Sequence, residues 1–122
     1  MALAKQIMGG GLSAGQAKAI AGTTATALSG AGTTLATGTA INAGFNVFTT
    51  VGSGSGATLP ACEIGDSLWV FNNSATNALT VYPDSGSTIN QLSASVGVLL
   101  APYTGIIFSR VSSTGWIANL SA

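Results

Sequence analysis

Ser67-Leu68-Trp69-Val70-Phe71-Asn72, closed by Asn73-Ser74 and followed by Ala78-Leu79-Thr80-Val81-Tyr82-Pro83, is the stretch on which the fold turns. Runs of four to six β-branched and aromatic residues, bounded by Asn, Ser and Pro, spell strands rather than helices. The flanks repeat the pattern. Phe45 to Val51 is broken by Gly52-Ser53-Gly54-Ser55-Gly56. Pro83-Asp84-Ser85-Gly86 is a turn with a mechanism, because Pro presets φ and Gly permits a positive one. Strand-like segments follow at 87–92, 95–103, 104–111 and 116–120, the last two separated by Ser112-Ser113-Thr114-Gly115. Short strands at spacings near ten residues predict an all-β fold, a small antiparallel β-sandwich or jelly-roll-like body.

All the aromatic side chains, and the dense apolar runs with them, lie after residue 44, which predicts a body over 45–122 and an extended N-terminal arm over 1–44. Within the arm, Ser13-Ala14-Gly15-Gln16 is a capping box, and Ala17 to Ala21 with a stop at Gly22 predict at most a short helix. Residues 23–44 are a Thr/Ala/Gly/Ser tract with the composition of a linker.

Three apolar runs carry the next expectation. Leu68, Trp69, Val70 and Phe71 form the first, Leu99 and Leu100 belong to the second, and Ile106, Ile107 and Phe108 to the third. A strand with one wet face alternates, so unbroken runs predict burial on both faces. One small sandwich does not supply that cover to three strands at once. These nine residues and Trp116 are therefore expected to build the core and the contact between identical copies. Charge points the same way: three basic and three acidic residues, no histidine, 5% charged against 47% hydrophobic and a formal net charge of zero. Such a surface has little to oppose association.

The same scarcity excludes functions. Nucleic-acid binding needs several Lys or Arg to neutralise phosphates, and none lies between Lys18 and Arg110. No segment approaches the roughly 20 apolar residues of a membrane span, and the glycine-broken N-terminus lacks the apolar run of a secretory signal. Catalytic candidates fail one by one. Asp84-Ser85-Gly86 has the triplet of aspartic proteases, yet Pro83 before it reads as a turn. Glu63 and Asp66 are loop acids without a surrounding substrate cluster. The Gly-rich strings at 9–11 and 52–56 lack the Lys-Ser/Thr of a phosphate loop. Cys62 is the single cysteine, so it has no disulfide partner in the chain and no histidine to activate it. No metal set can be assembled from one thiol and three scattered carboxylates. The chain is expected to be no enzyme, with no cofactor and no small-molecule substrate. Among the aromatics Tyr103, beside Pro102 and Gly105, is the best exposed candidate for stacking on a sugar.

Two segments carry a resemblance: ATLPACEIGDSLWVFNNSATNALTVYPDSGSTIN over 57–90, and TGIIFSRVSSTGWIANL over 104–120. A small-residue stretch ending in Gly-Asp, an apolar strand, an Asn-rich turn, a Leu-Thr-Val-Tyr-Pro strand and a closing hairpin with Gly-Trp resemble a recurrent module of tailed-bacteriophage virion proteins. The departures are Gly86-Ser87-Thr88-Ile89-Asn90 in place of an acidic turn, and Cys62 where alanine is usual. The resemblance implies a trimeric β-structured virion component of the capsid decoration or cement type, with no catalytic residues to carry over. A homotrimer on the capsid surface, bound to the major capsid protein through the N-terminal arm, is the expectation. A tail-fibre or tail-associated receptor- or glycan-binding module is the alternative.

Overall fold

The computed structural model describes residues 24–90 and 92–121. They form ten strands and no helix: β1 (Thr24–Ser29), β2 (Thr39–Ala40), β3 (Phe45–Thr50), β4 (Gly56–Thr58), β5 (Ser67–Asn72), β6 (Leu79–Tyr82), β7 (Thr88–Ile89), β8 (Val98–Leu100), β9 (Thr104–Ser112) and β10 (Gly115–Ser121). The fold is all-β.

Two sheets hold them, a six-stranded one in the order β1-β3-β5-β9-β10-β7 and a four-stranded one in the order β2-β4-β6-β8. The first six strands alternate between the sheets. β1, β3 and β5 pair in parallel in one, and β2, β4 and β6 in parallel in the other. Parallel neighbours need a crossover of a dozen or more residues, and here a strand of the opposite sheet occupies it. Thr24 faces Phe45 and Phe45 faces Trp69, so successive turns span 21 and 24 residues. The result is a solenoid-like stack of three turns.

Antiparallel strands close one end of the stack. β8 lies on β6, β9 on β5, and β10 on β9, with β7 added in parallel beyond β10. This strand order is not that of an antiparallel sandwich or jelly roll. The physical reason lies in the connections: Val51–Ser55 and Asn73–Ala78 carry the chain across to the facing sheet instead of folding it into hairpins. Ser55 marks one such crossing, its amide and Oγ both donating to the Gly52 carbonyl, at 3.1 and 2.9 Å.

The boundary expected at residue 45 falls inside continuous sheet. β1 and β2 belong to the segment read as linker, yet they form the first turn of the stack. Parallel ladders supply the backbone partners of a strand whether or not its side chains are large. The Thr/Ala composition of β1 therefore hides a strand. The capping box at 13–16 and its short helix lie outside the described residues.

The core fills the space between the sheets. Phe48, Leu68, Val70, Ile106, Phe108 and Trp116 enter from the six-stranded sheet. Ala57, Leu79, Val81 and Leu100 meet them from the other, with Ile41, Leu59 and Ile89 at the margins. Two buried asparagines staple the stack where ladders end. Asn46 Nδ2 donates to the carbonyls of Ala43 (2.8 Å) and Trp69 (3.0 Å). Asn72 Nδ2 donates to those of Asn77 (2.8 Å) and Leu100 (2.9 Å).

Candidate functional site

Along β5 the apolar run divides by parity. Leu68 and Val70 are buried between the sheets, while Trp69 and Phe71 stand half-buried on the outer face. The third run does the same, with Ile106 and Phe108 inside and Ile107 outside. In the second run Leu100 is buried and Leu99 is 71% exposed, on the outside of the four-stranded sheet. Period two holds in every run; what is unusual is that the outward positions are apolar too.

Register gathers those outward residues into rows. Phe45, Trp69 and Ile107 are direct neighbours across β3, β5 and β9. Val47 and Phe71 form the next row, which ends at Gly105. On the other flank Ser67 and Ser109 join through their hydroxyls at 2.9 Å, with Ile117 alongside on β10. Phe45 and Ile117 are 39% and 43% exposed. No charged side chain stands on this face among the described residues, because Arg110 of β9 is buried in an ion pair. The outer face of the four-stranded sheet is of a more mixed kind: the exposed Leu99 stands opposite Thr80, beside Thr58 and Tyr82, whose hydroxyl donates to the Thr33 carbonyl at 2.7 Å.

The groups that carry chemistry do not converge. Among the described residues no three of His, Cys, Asp and Glu come together as a metal site would require. Asp66 is buried, its Oδ2 accepting the Glu63 amide at 3.0 Å, so the two acids form a loop-closing turn. Cys62 is half-buried against the core. Desolvation pushes its thiol up to about 12, with Asp66 adding to the rise and Arg110 opposing it.

Asp84 proves to be the centre of a cluster that sequence reasoning missed. Its Oδ1 accepts both Arg110 Nη1 at 2.6 Å and Trp116 Nε1 at 2.9 Å. The guanidinium also donates to the carbonyls of Ser112 and Ser113 and lies 5.2 Å from the Trp116 ring centroid. Arg110 was the one cation of the body, and its solitude was the only signal available.

Tyr103 stands at the tip between β8 and β9, 62% exposed, with φ of 59°. Its amide donates to the Asn72 carbonyl at 2.7 Å, and Thr104 Oγ1 closes the turn on the Ala101 carbonyl at 2.7 Å. The aromatic candidates are thus separated: Trp116 in the core, Trp69 on the outer face, Tyr82 on the opposite sheet and Tyr103 at a tip. They form no common platform.

The chain matches no protein-family model, no curated protein and no solved structure.

Proposed function

We propose that this chain is a non-enzymatic virion structural protein, a homotrimeric decoration protein that binds and stabilises a bacteriophage capsid. One observation carries the reading: the outer face of the six-stranded sheet presents Phe45, Val47, Trp69, Phe71, Ile107 and Ile117 without an intervening charge. Contiguous apolar faces of this kind mark contact surfaces rather than solvated ones. Identical copies meet on such a face without like-charge repulsion, and the near-neutral composition removes long-range opposition to assembly. The resemblance of 57–90 and 104–120 to virion modules supports the same reading.

The mechanism is additive burial. Each trimer hides apolar area worth about 25 cal/mol per Å² and, repeated over a capsid lattice, opposes expansion of the shell. The N-terminal segment is the proposed contact with the major capsid protein. Light scattering of the purified chain together with co-sedimentation on undecorated heads tests the reading. A trimer that sediments with heads is the expected result. A folded trimer that stays in the supernatant defeats the capsid role, and a compact monomer defeats the reading of the face.

Tyr103 favours a second reading, a tail-associated glycan-binding module. An aromatic ring held outward in a left-handed backbone conformation is more readily explained by contact than by packing. A glycan array run with the native chain and with Tyr103→Ala decides it, and binding that survives the substitution removes this platform.

A further inference from the structure

We propose that Asp84, Arg110 and Trp116 form an acid-released latch that fastens the end of the β9–β10 hairpin to the β6–β7 turn, independently of what the outer face binds.

The position of the hairpin end makes a latch meaningful. The ladder between β5 and β9 ends at Ser67 opposite Ser109. Beyond it, Arg110 reaches the loop ahead of β5 by two backbone bonds, its amide to the Asp66 carbonyl and its carbonyl from the Gly65 amide, each 2.8 Å. On the far side β10 is held by β7 over only two residues, Gly115 opposite Thr88 and Trp116 opposite Ile89. Further attachment comes from side chains: Asn90 Oδ1 accepts the Ala118 amide at 2.9 Å, the Trp116 ring packs in the core, and the polar groups at the hairpin end converge on one acid. Asp84 sits in the turn after β6, and through a single oxygen it holds both the guanidinium and the indole N–H. Arg110 spends its other donors on the carbonyls of Ser112, the last residue of β9, and Ser113 in the hairpin turn. The cluster therefore ties β6, β9, β10 and the hairpin turn together at one carboxylate.

A buried guanidinium needs its counter-ion: removing the partner leaves an uncompensated charge inside the protein. Burial pushes the Asp84 carboxyl up, but hydrogen bonds from Trp116, Ser87 and Arg110 and the Arg110 charge outweigh it and hold the group below its ordinary 3.8. A carboxylate depressed in this way contributes stability in full above its ordinary value and loses it as pH falls through the depressed one. The other titratable or charged groups near Arg110 are Cys62, Glu63 and Asp66, all in the loop ahead of β5. β7 brings only Thr88 and Ile89, and β10 brings Trp116. Since Asp84 is the group that joins the guanidinium to the indole, protonating it opens the hairpin end while the parallel ladders stay paired.

Hydrogen exchange on the unmodified chain between pH 7 and pH 2 tests this, corrected for intrinsic rates. Protection of the Trp116 indole N–H, and of the Thr88 and Asn90 amides that donate to Thr114 and Trp116, should fall at least tenfold below the ordinary carboxylate range. Amides of β3 and β5 should keep theirs. Joint loss across both sets, or retained indole protection at pH 2, overturns the latch. Asp84→Asn supplies the second arm: its indole should exchange rapidly already at pH 7 with no further acid dependence, while Glu63→Gln should retain the acid step. An unchanged acid step in Asp84→Asn refutes the assignment.

Discussion

Phe45 and Trp69 stand in register on the neighbouring parallel strands β3 and β5, their ring centroids 6.1 Å apart and their planes tilted by 35°. Aromatic pairs in this range gain about 0.5–1.5 kcal/mol beyond area burial. The pair also links two successive turns of the stack on this face, beside the neighbouring row of Val47 and Phe71. Both rings are incompletely covered, so the pair serves the stack and offers surface at the same time.

Replacing Trp69 by Ser separates the two roles. The substitution leaves the inward residues Leu68 and Val70 untouched, so the monomer fold should survive with a loss of about 1 kcal/mol for the missing aromatic pair. The proposed trimer should suffer far more, with the weight-average mass from light scattering falling toward the 11.9 kDa of one chain. A variant that stays trimeric would move the contact off this face.

Gly56 shows how closely the turns of the stack approach one another. A Cβ at this position would lie 2.6 Å from a ring carbon of Tyr82 and 2.9 Å from the Thr80 carbonyl oxygen, on the next strand of the four-stranded sheet. Gly56→Ala should therefore destabilise by about 1–3 kcal/mol, the cost typical of overpacking. Gly52→Ala is the matched control, since nothing lies within 4 Å there. Urea midpoints of the two variants should separate clearly, and equal midpoints would contradict the close approach.

Much of the fold is legible in the amino-acid sequence. The segments around 45–50, 67–72, 79–82 and 104–111 read correctly as strands because their residues are large and β-branched, and the turn at Pro83–Gly86 followed from its chemistry. Three things were hidden. β1 and β2 were hidden because a parallel ladder needs no large side chains, and Thr24 to Ser29 looks like linker. The parallel connectivity was hidden because strand residues do not state their neighbour, although unbroken apolar runs are what strands of parallel sheets show. The Asp84–Arg110–Trp116 cluster was hidden because Asp84 and Arg110 are 26 residues apart, and nothing local in either segment points to the other. The apolar outer face lies between these cases: Trp69, Phe71 and Ile107 are among the residues the apolar runs single out, but Phe45, Val47 and Ile117 join them only through the register, which also divides each run into an inward and an outward set.

Tyr103 carries a backbone cost that its side chain does not repay within the subunit. A left-handed φ at a non-glycine residue costs roughly 1–2 kcal/mol, and this ring is largely exposed. Tyr103→Gly should raise stability by about 0.5–1 kcal/mol, the relief being partly offset by the extra freedom of glycine in the unfolded chain. Tyr103→Ala, which keeps the strained φ, should not. Thermal melts of the pair check this, and a destabilised glycine variant would show that the ring packs usefully.

Cys62 offers a probe of the loop ahead of β5. Only the thiolate attacks disulfide reagents and alkylators, and burial raises this thiol from its ordinary 9.0 to about 12. Each pKa unit is a tenfold change in thiolate fraction near neutral pH, so the native chain at pH 8 should label on the order of a hundred to a thousand times more slowly than the chain in concentrated urea. The sign is definite: labelling should climb with pH throughout the range from 7 to 9, without a plateau. Asp66 contributes to the rise, so Asp66→Asn should accelerate native labelling, provided circular dichroism shows the strands intact. Native labelling as fast as in urea would mean that the loop does not shelter the thiol.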